Sequence, residues 1–233
     1  MKIKQAVIMA AGLGDRLLPL TATTPKPLLR VDGKPMIERL IETLIEREYE
    51  HIIVVVGYMA HRFDYLTHKY RCIKIIKNYN YDRMNNIASL YVVRRYLTEP
   101  TVILDGDQII NNPEIIQKDI THSGYVCYRK EDDEKEWTLD LDKNNKIRHC
   151  DTDTQAFDYV LRSISFWTTG DLQKLVRCLN NDFTAEHRHW YWDNVPASHL
   201  SLFDLYGYII QKSDLTESDT VDEYRRLQNG GRK

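Results

Sequence analysis

Two glycines and two cations near the start of the chain have the types and spacing to hold a polyanion. They lie in Met9-Ala-Ala-Gly-Leu-Gly-Asp-Arg16 and Thr24-Pro-Lys-Pro-Leu28. At Gly12 and Gly14 no Cβ stands between backbone N–H groups and a bulky anion. Arg16 and Lys26 can neutralise the charge that amides alone cannot. Pro25 and Pro27 disfavour helix and hold Lys26 in an extended segment. The apolar run Ala6–Ala11 has the length of a buried strand. A strand, a glycine loop and two cations in that order read as a triphosphate-binding loop. A P-loop is excluded, because no glycine is followed by Lys and Ser/Thr at the required spacing. A dinucleotide fingerprint is excluded because Leu17 stands where a third small residue is needed. Asp15 is discordant, an acid that must point away from phosphate.

Carboxylates for a metal on such an anion are fewer. Magnesium keeps several waters, so one or two suffice. Asp107 is the first candidate, in Asp105-Gly-Asp107 after the apolar run Thr101–Leu104. Asp-Gly between apolar runs is equally a hairpin-turn signal, and the residues alone leave both readings open. Asp219, with Asp222 three residues on, reads first as the N-cap of a closing helix.

Large aromatic faces and carboxylates gather later, in Glu136-Trp137 and Trp190-Tyr-Trp-Asp-Asn194. Taken singly these rings suit a core; clustered with acids they suit a quaternary ammonium, which π faces attract by ~0.5–2 kcal/mol each.

The elements that position these groups follow from periodicity. Pro35 opens a helix with Ile37, Leu40, Ile41, Leu44 and Ile45 on one stripe. His51–Val56 is a continuous β-branched run, hence a strand covered on both faces. Tyr58–Lys69 reads as a second helix, Cys72–Ile76 as a strand, and Leu90, Val93 and Leu97 mark a third helix. Such alternation predicts a parallel sheet between helices, with ligands at the carboxyl ends of its strands. After Ser123 the pattern turns β-rich: Tyr125–Arg129, Trp137–Asp142, Lys146–Asp151 and Tyr159–Trp167, then a helix carrying Leu172, Leu175, Val176 and Leu179. Leu202–Ile210, a short strand near Asp214 and a helix from Asp219 to Leu227 close the chain before Gly230-Gly231. One domain over 1–233 is expected, with a nucleotide-binding part over about 1–122, an acceptor-binding part over about 123–218, and a closing helix and tail over 219–233.

The bulk numbers set limits. A net charge of −2 over 233 residues gives no global attraction to nucleic acid or anionic membrane. The four cysteines are spread without a CxxC pair, so neither a zinc knuckle nor a disulfide framework is indicated. No targeting segment or membrane-length apolar run is present, and a cytoplasmic location is the default expectation.

The combination GxGxR then LTxxTPKPLL resembles the nucleotidyltransferase family that builds NDP-sugars and CDP-alcohols. With Asn85-Asn86, Ser89-Leu-Tyr91, Glu136-Trp137, Ser165-Phe-Trp167, Tyr191-Trp-Asp-Asn194 and Asp222-Glu-Tyr-Arg-Arg-Leu227, the chain is similar along nearly its whole length to bacterial CTP:phosphocholine cytidylyltransferases. The resemblance implies an α/β fold, a Rossmann-like, mainly parallel mixed sheet flanked by helices, with a β-rich acceptor-binding second half. It implies Mg²⁺-assisted transfer of CMP from CTP to phosphocholine, by direct attack at the α-phosphorus. Lys26, Arg16 and Asp107 would be catalytic; Ala11, Gly12, Gly14, Arg16, Lys26, Asn86 and Ser89 would bind the nucleotide. Asp107 and Asp219 would hold Mg²⁺. Glu136, Trp137, Tyr191, Trp192 and Asp193 would bind the acceptor. A phosphomonoester with a second pKa of about 6 is already largely dianionic at neutral pH, so no catalytic histidine is needed. His149, His187 and His189 are read as structural or exposed. Rival acceptors are 2-aminoethylphosphonate, phosphoethanolamine and, more distantly, sugar 1-phosphates; a non-catalytic nucleotide-binding module is the rival of another class.

Overall fold

The computed structural model describes residues 1–131 and 135–228. In chain order the strands are β1 (Gln5–Ala10), β2 (Arg30–Val31), β3 (Lys34–Pro35), β4 (His51–Val56), β5 (Ile73–Lys77), β6 (Thr101–Asp105) and β7 (Ile109–Ile110). Then come β8 (Ser123–Arg129), β9 (Thr138–Leu141), β10 (Ile147–Asp151), β11 (Tyr159–Trp167), β12 (Leu205–Ile209) and β13 (Leu215–Thr216). The helices are α1 (Met36–Glu46), α2 (Tyr65–Lys69), α3 (Ile87–Val93), α4 (Thr169–Asp182), α5 (Asn194–Ser198) and α6 (Val221–Gln228).

Among the described residues the central sheet runs β10-β9-β11-β6-β1-β4-β5, with β8 pairing β11 and β12. Its first half, β5-β4-β1-β6, is parallel. β11 joins antiparallel to β6, so the β-rich second half continues the same sheet. Strand order reverses at β1, which lies between β4 and β6, and a crevice therefore opens beyond their carboxyl ends.

The β-branched runs of β1, β4 and β6 are buried because helices cover both faces. Ile8, Val54, Val56, Val102 and Leu104 pack toward α1 and α2. Val7, Ile53, Val55 and Ile103 pack toward α3 and α4. Each such side chain contributes about 1.5–3 kcal/mol of burial free energy, so the strand ends that carry the site are firmly anchored.

Three expectations shift. Pro35 pairs with Arg30 in the β2–β3 ladder and lies just before α1. The α1 stripe is narrower than the periodicity suggests, since Ile45 is 40% exposed. The second helix starts later than expected, because Met59 takes a left-handed φ of 46°, and it is divided into a 3-10 turn, Ala60–Phe63, and the short α2. Gly230-Gly231, expected to mark the tail, lies outside the described residues. No described helix is long and apolar enough to cross a membrane, and all four cysteines are free.

Candidate active site

A cavity of about 440 Å³ opens at the carboxyl ends of β1 and β6, lined by residues 9–17, Lys26, Asn86, Ser89, Asp105, Asp107 and Tyr191 among others. The two strand ends abut: Met9 is in register with Asp105, and the Gly106 N–H donates to the Met9 carbonyl at 2.8 Å. Gly14 takes a φ of +72°, and a Cβ there would lie 2.9 Å from Thr21 Cγ2. The Thr21 hydroxyl donates to the Gly14 carbonyl at 2.9 Å and holds the loop closed. A Cβ at Gly12 would meet no protein atom within 4 Å. Gly14 therefore shapes the loop, whereas Gly12 keeps cavity space open for a ligand.

The cations converge on the acids. Lys26, only 9% exposed, pairs with the Asp107 carboxylate and lies 2.8 Å from Asp219 Oδ1. Arg16 Nη2 reaches the same Asp219 oxygen at 2.9 Å, with most of its side chain in solvent at the cavity mouth. Burial alone would lower the Lys26 pKa, but the charges of Asp107 and Asp219 outweigh it and hold the ammonium above its ordinary value. Desolvation likewise pushes Asp219 up, and Lys26 and Arg16 bring it below the ordinary carboxylate range. Asp107 is not a hairpin turn. Gly106 lacks the positive φ of a type I′ turn, and β7 pairs with β13 instead of folding back on β6.

Asp219 is not the N-cap of α6. Thr220 fills that position: its hydroxyl accepts from the Glu223 N–H, and the Glu223 carboxylate accepts from the N–H groups of Thr220 and Asp219. The Asp219 side chain is thereby left to the site. Asp107 and Asp219 share one ammonium partner, so their oxygens lie within a single cation's reach. Among the described residues no group of three or more His, Cys, Asp or Glu could hold a metal. Two hard oxygen donors plus phosphate oxygens do fit magnesium, which needs no all-protein cage.

Tyr191 borders the cavity, and Trp137 stands perpendicular to it with ring centroids 6.0 Å apart. Asn85 and Asn86 tie this loop to the start of α3. The Asn85 N–H donates to the Arg188 carbonyl at 2.7 Å, its Nδ2 to the His189 carbonyl at 3.1 Å, and Asn86 Oδ1 accepts from the Trp192 N–H at 2.7 Å.

Residues 5–136 match the family model for nucleotidyl transferases. The choline-phosphate cytidylyltransferase of Streptococcus pneumoniae is 35% identical over 225 residues, covering 96% of each chain. The chain belongs to the nucleotidyl transferase family. This nucleotidyltransferase is also 34% identical to the 2-aminoethylphosphonate cytidylyltransferase of Lancefieldella rimae, over 97% of its own length and 92% of the relative's. The solved structure of a CTP:phosphocholine cytidylyltransferase from S. pneumoniae superposes with a TM-score of 0.91 at 33% identity, covering 100% of both chains. An inositol-1-phosphate CTP transferase from T. maritima, at 18% identity and a TM-score of 0.81, shares the fold.

Two acceptor-site expectations for the nucleotidyltransferase are corrected. Trp192 is 1% exposed, stacked on Tyr125 and set edge-on to Trp167 in the core. Adjacent residues of a turn point in different directions, and Tyr191 takes the outward one. Asp193 is buried, accepting from the Tyr125 hydroxyl at 2.9 Å, and does not line the cavity. Burial pushes its carboxyl up to about 7 despite the Tyr125 hydrogen bond.

Sequence reasoning passed over Arg162 and Glu217, an ion pair that is mostly buried. Gln108 Nε2 donates to Glu217 at 2.7 Å, and the Arg162 guanidinium faces Tyr128 and feels the charge of Glu136. A lone arginine inside the β11 run was the available signal. Asp105, on the cavity wall, is raised by desolvation and then by the charges of Asp107, Asp193 and Glu217. Burial thus favours the protonated form of Asp105 and Asp193, and Arg162 offsets the charge of Glu217.

Proposed function

We propose that this nucleotidyltransferase transfers CMP from CTP to phosphocholine, releasing pyrophosphate and CDP-choline. The observation that carries the reading is Tyr191 on the wall of the cavity that holds Lys26 and Asp107, with Trp137 set perpendicular to its ring. Two perpendicular π faces beside that cavity suit a trimethylammonium head.

In the reaction a phosphocholine oxygen forms a bond to the α-phosphorus of CTP as the bond to the bridging oxygen of pyrophosphate breaks. The attacking monoester is largely dianionic at neutral pH, so no side chain removes a proton. Lys26, fixed by two carboxylates and shielded from water, stabilises the charge that grows on the α-phosphate oxygens. Arg16 at the mouth neutralises the leaving β- and γ-phosphates. Backbone amides of the Gly12–Gly14 loop hold the triphosphate, and Asn86 and Ser89 face the base. Asp107 and Asp219 would hold Mg²⁺, which when bound shields phosphate charge and aligns the two reacting groups. The test is CTP- and Mg²⁺-dependent formation of CDP-choline by the purified chain; no product with phosphocholine would refute the reading.

A second reading, with 2-aminoethylphosphonate as acceptor, is favoured by the relative of that activity at 34% identity. A primary ammonium needs hydrogen-bond acceptors as well as π faces, and Asp105 and Asp107 on the cavity wall offer carboxyl oxygens.

A further inference from the structure

We infer that Asn78 fixes the hydrogen-bond polarity of the base subsite, and so makes Ser89 a donor that selects cytosine over uracil. The inference rests on the proposed use of CTP and extends it to a residue outside the sequence motifs.

Asn78 follows β5, is 2% exposed, and is pinned by its N–H donating to the Val56 carbonyl at 2.8 Å. Its amide can face only one way. The Asn80 backbone N–H can only donate, so the Asn78 atom 2.9 Å from it is Oδ1. Nδ2 then occupies the other branch, 3.1 Å from Ser89 Oγ. An amide NH₂ accepts nothing, so the serine oxygen is the acceptor of that bond. Its own proton has no acceptor among the described residues, and Ser89 lies on the cavity wall.

Asn86 is oriented by the same logic. Its Oδ1 accepts from the Trp192 N–H, which leaves Nδ2 as a donor. Residues 86 and 89 stand three apart at the start of α3, hence on one face. The subsite therefore offers donors. Cytosine presents two adjacent acceptors, O2 and N3, whereas uracil carries a proton on N3. A donor facing N3–H leaves a buried bond unmade, the more costly mismatch in a closed site.

The test compares kcat/KM for CTP and UTP, with phosphocholine as acceptor, in the wild type, Asn78→Asp and Ser89→Ala. Aspartate at 78 still accepts from Asn80 but has no N–H for Ser89; the serine then donates to it and turns a lone pair to the base. We expect the CTP:UTP ratio to fall about tenfold or more in Asn78→Asp, and to fall also in Ser89→Ala. The ratio is insensitive to a loss of folded enzyme. A ratio within about twofold of wild type in both variants, or a wild type indifferent to the base, would overturn the inference. Calorimetric binding of CTP and UTP reads the same ratio without turnover. A CTP preference in binding that falls in both variants, in a protein that releases no pyrophosphate, would uphold the inference while refuting the proposed reaction.

Discussion

Lys26 Nζ lies 2.8 Å from Asp219 Oδ1, although 193 residues separate them in the chain. The contact brings the first loop and the last helix to one point, and Asp107 closes it from the end of β6. A nearly buried ammonium needs a compensating acid, because an uncompensated buried charge is strongly destabilising, and either Asp107 or Asp219 leaves it one when the other is removed. The same three groups give the cavity one positive centre with oxygen ligands beside it.

Asp107→Asn should keep the fold and lower Mg²⁺-dependent pyrophosphate release about 100-fold or more, the scale of removing one preorganised charge from a transition state. Circular dichroism checks the fold and coupled pyrophosphate detection the rate. Unchanged turnover would return Asp107 to a purely structural role.

The two loop glycines should separate stability from binding. Gly14→Ala places a methyl group 2.9 Å from Thr21 Cγ2 at positive φ, and should cost about 1–3 kcal/mol in chemical denaturation. Gly12→Ala meets no protein atom, so stability should hold within about 0.5 kcal/mol while KM for CTP rises. Equal effects at both positions would contradict this division.

The tryptophans should divide likewise. Trp137→Ala should raise KM for phosphocholine about 3- to 30-fold with little change in melting temperature. Trp192→Ala, which empties a core position, should cost about 3–5 kcal/mol. A Trp192 variant that melts like the wild type yet loses acceptor affinity would restore that ring to the ligand.

Asp193 gives a pH signature. Its folded pKa of about 7 lies above the ordinary value of 3.8, so the folded state holds the proton more tightly than the unfolded chain. This contribution is fully present below the lower value, declines as pH rises between the two, and is lost above the higher one. Asp193→Asn keeps an acceptor for the Tyr125 hydroxyl and removes the titration. Its melting temperature should match wild type near pH 4 and exceed it near pH 8, by about 2–4 °C per kcal/mol regained. Parallel curves would show that Asp193 does not titrate in the folded protein.

The scaffold was legible where one physical demand dominated. The continuous β-branched runs of β4 and β6 allow little but a buried strand, and the predicted bounds of β4 and β11 coincide with those observed. The glycine loop was legible because its glycines and cations each have a local reason for their place, but the prolines do not keep Lys26 extended: Lys26–Leu28 is a 3-10 turn that accommodates Pro27 near its start. What failed depends on direction. Nothing in Trp190-Tyr191-Trp192-Asp193 shows which side chain of an irregular turn faces the core. The N-cap reading of Asp219 gives way to Thr220 and Glu223, a pairing visible in sequence but overshadowed by Asp222. Asn78 was out of reach, since its part depends on the Asn80 amide and on the approach of α3.

The most direct measurement is a steady-state comparison of phosphocholine and 2-aminoethylphosphonate as acceptors, at saturating CTP and Mg²⁺, with pyrophosphate as the readout. The Trp137–Tyr191 cup predicts a kcat/KM for phosphocholine at least about tenfold higher. An equal or higher value for 2-aminoethylphosphonate would contradict it.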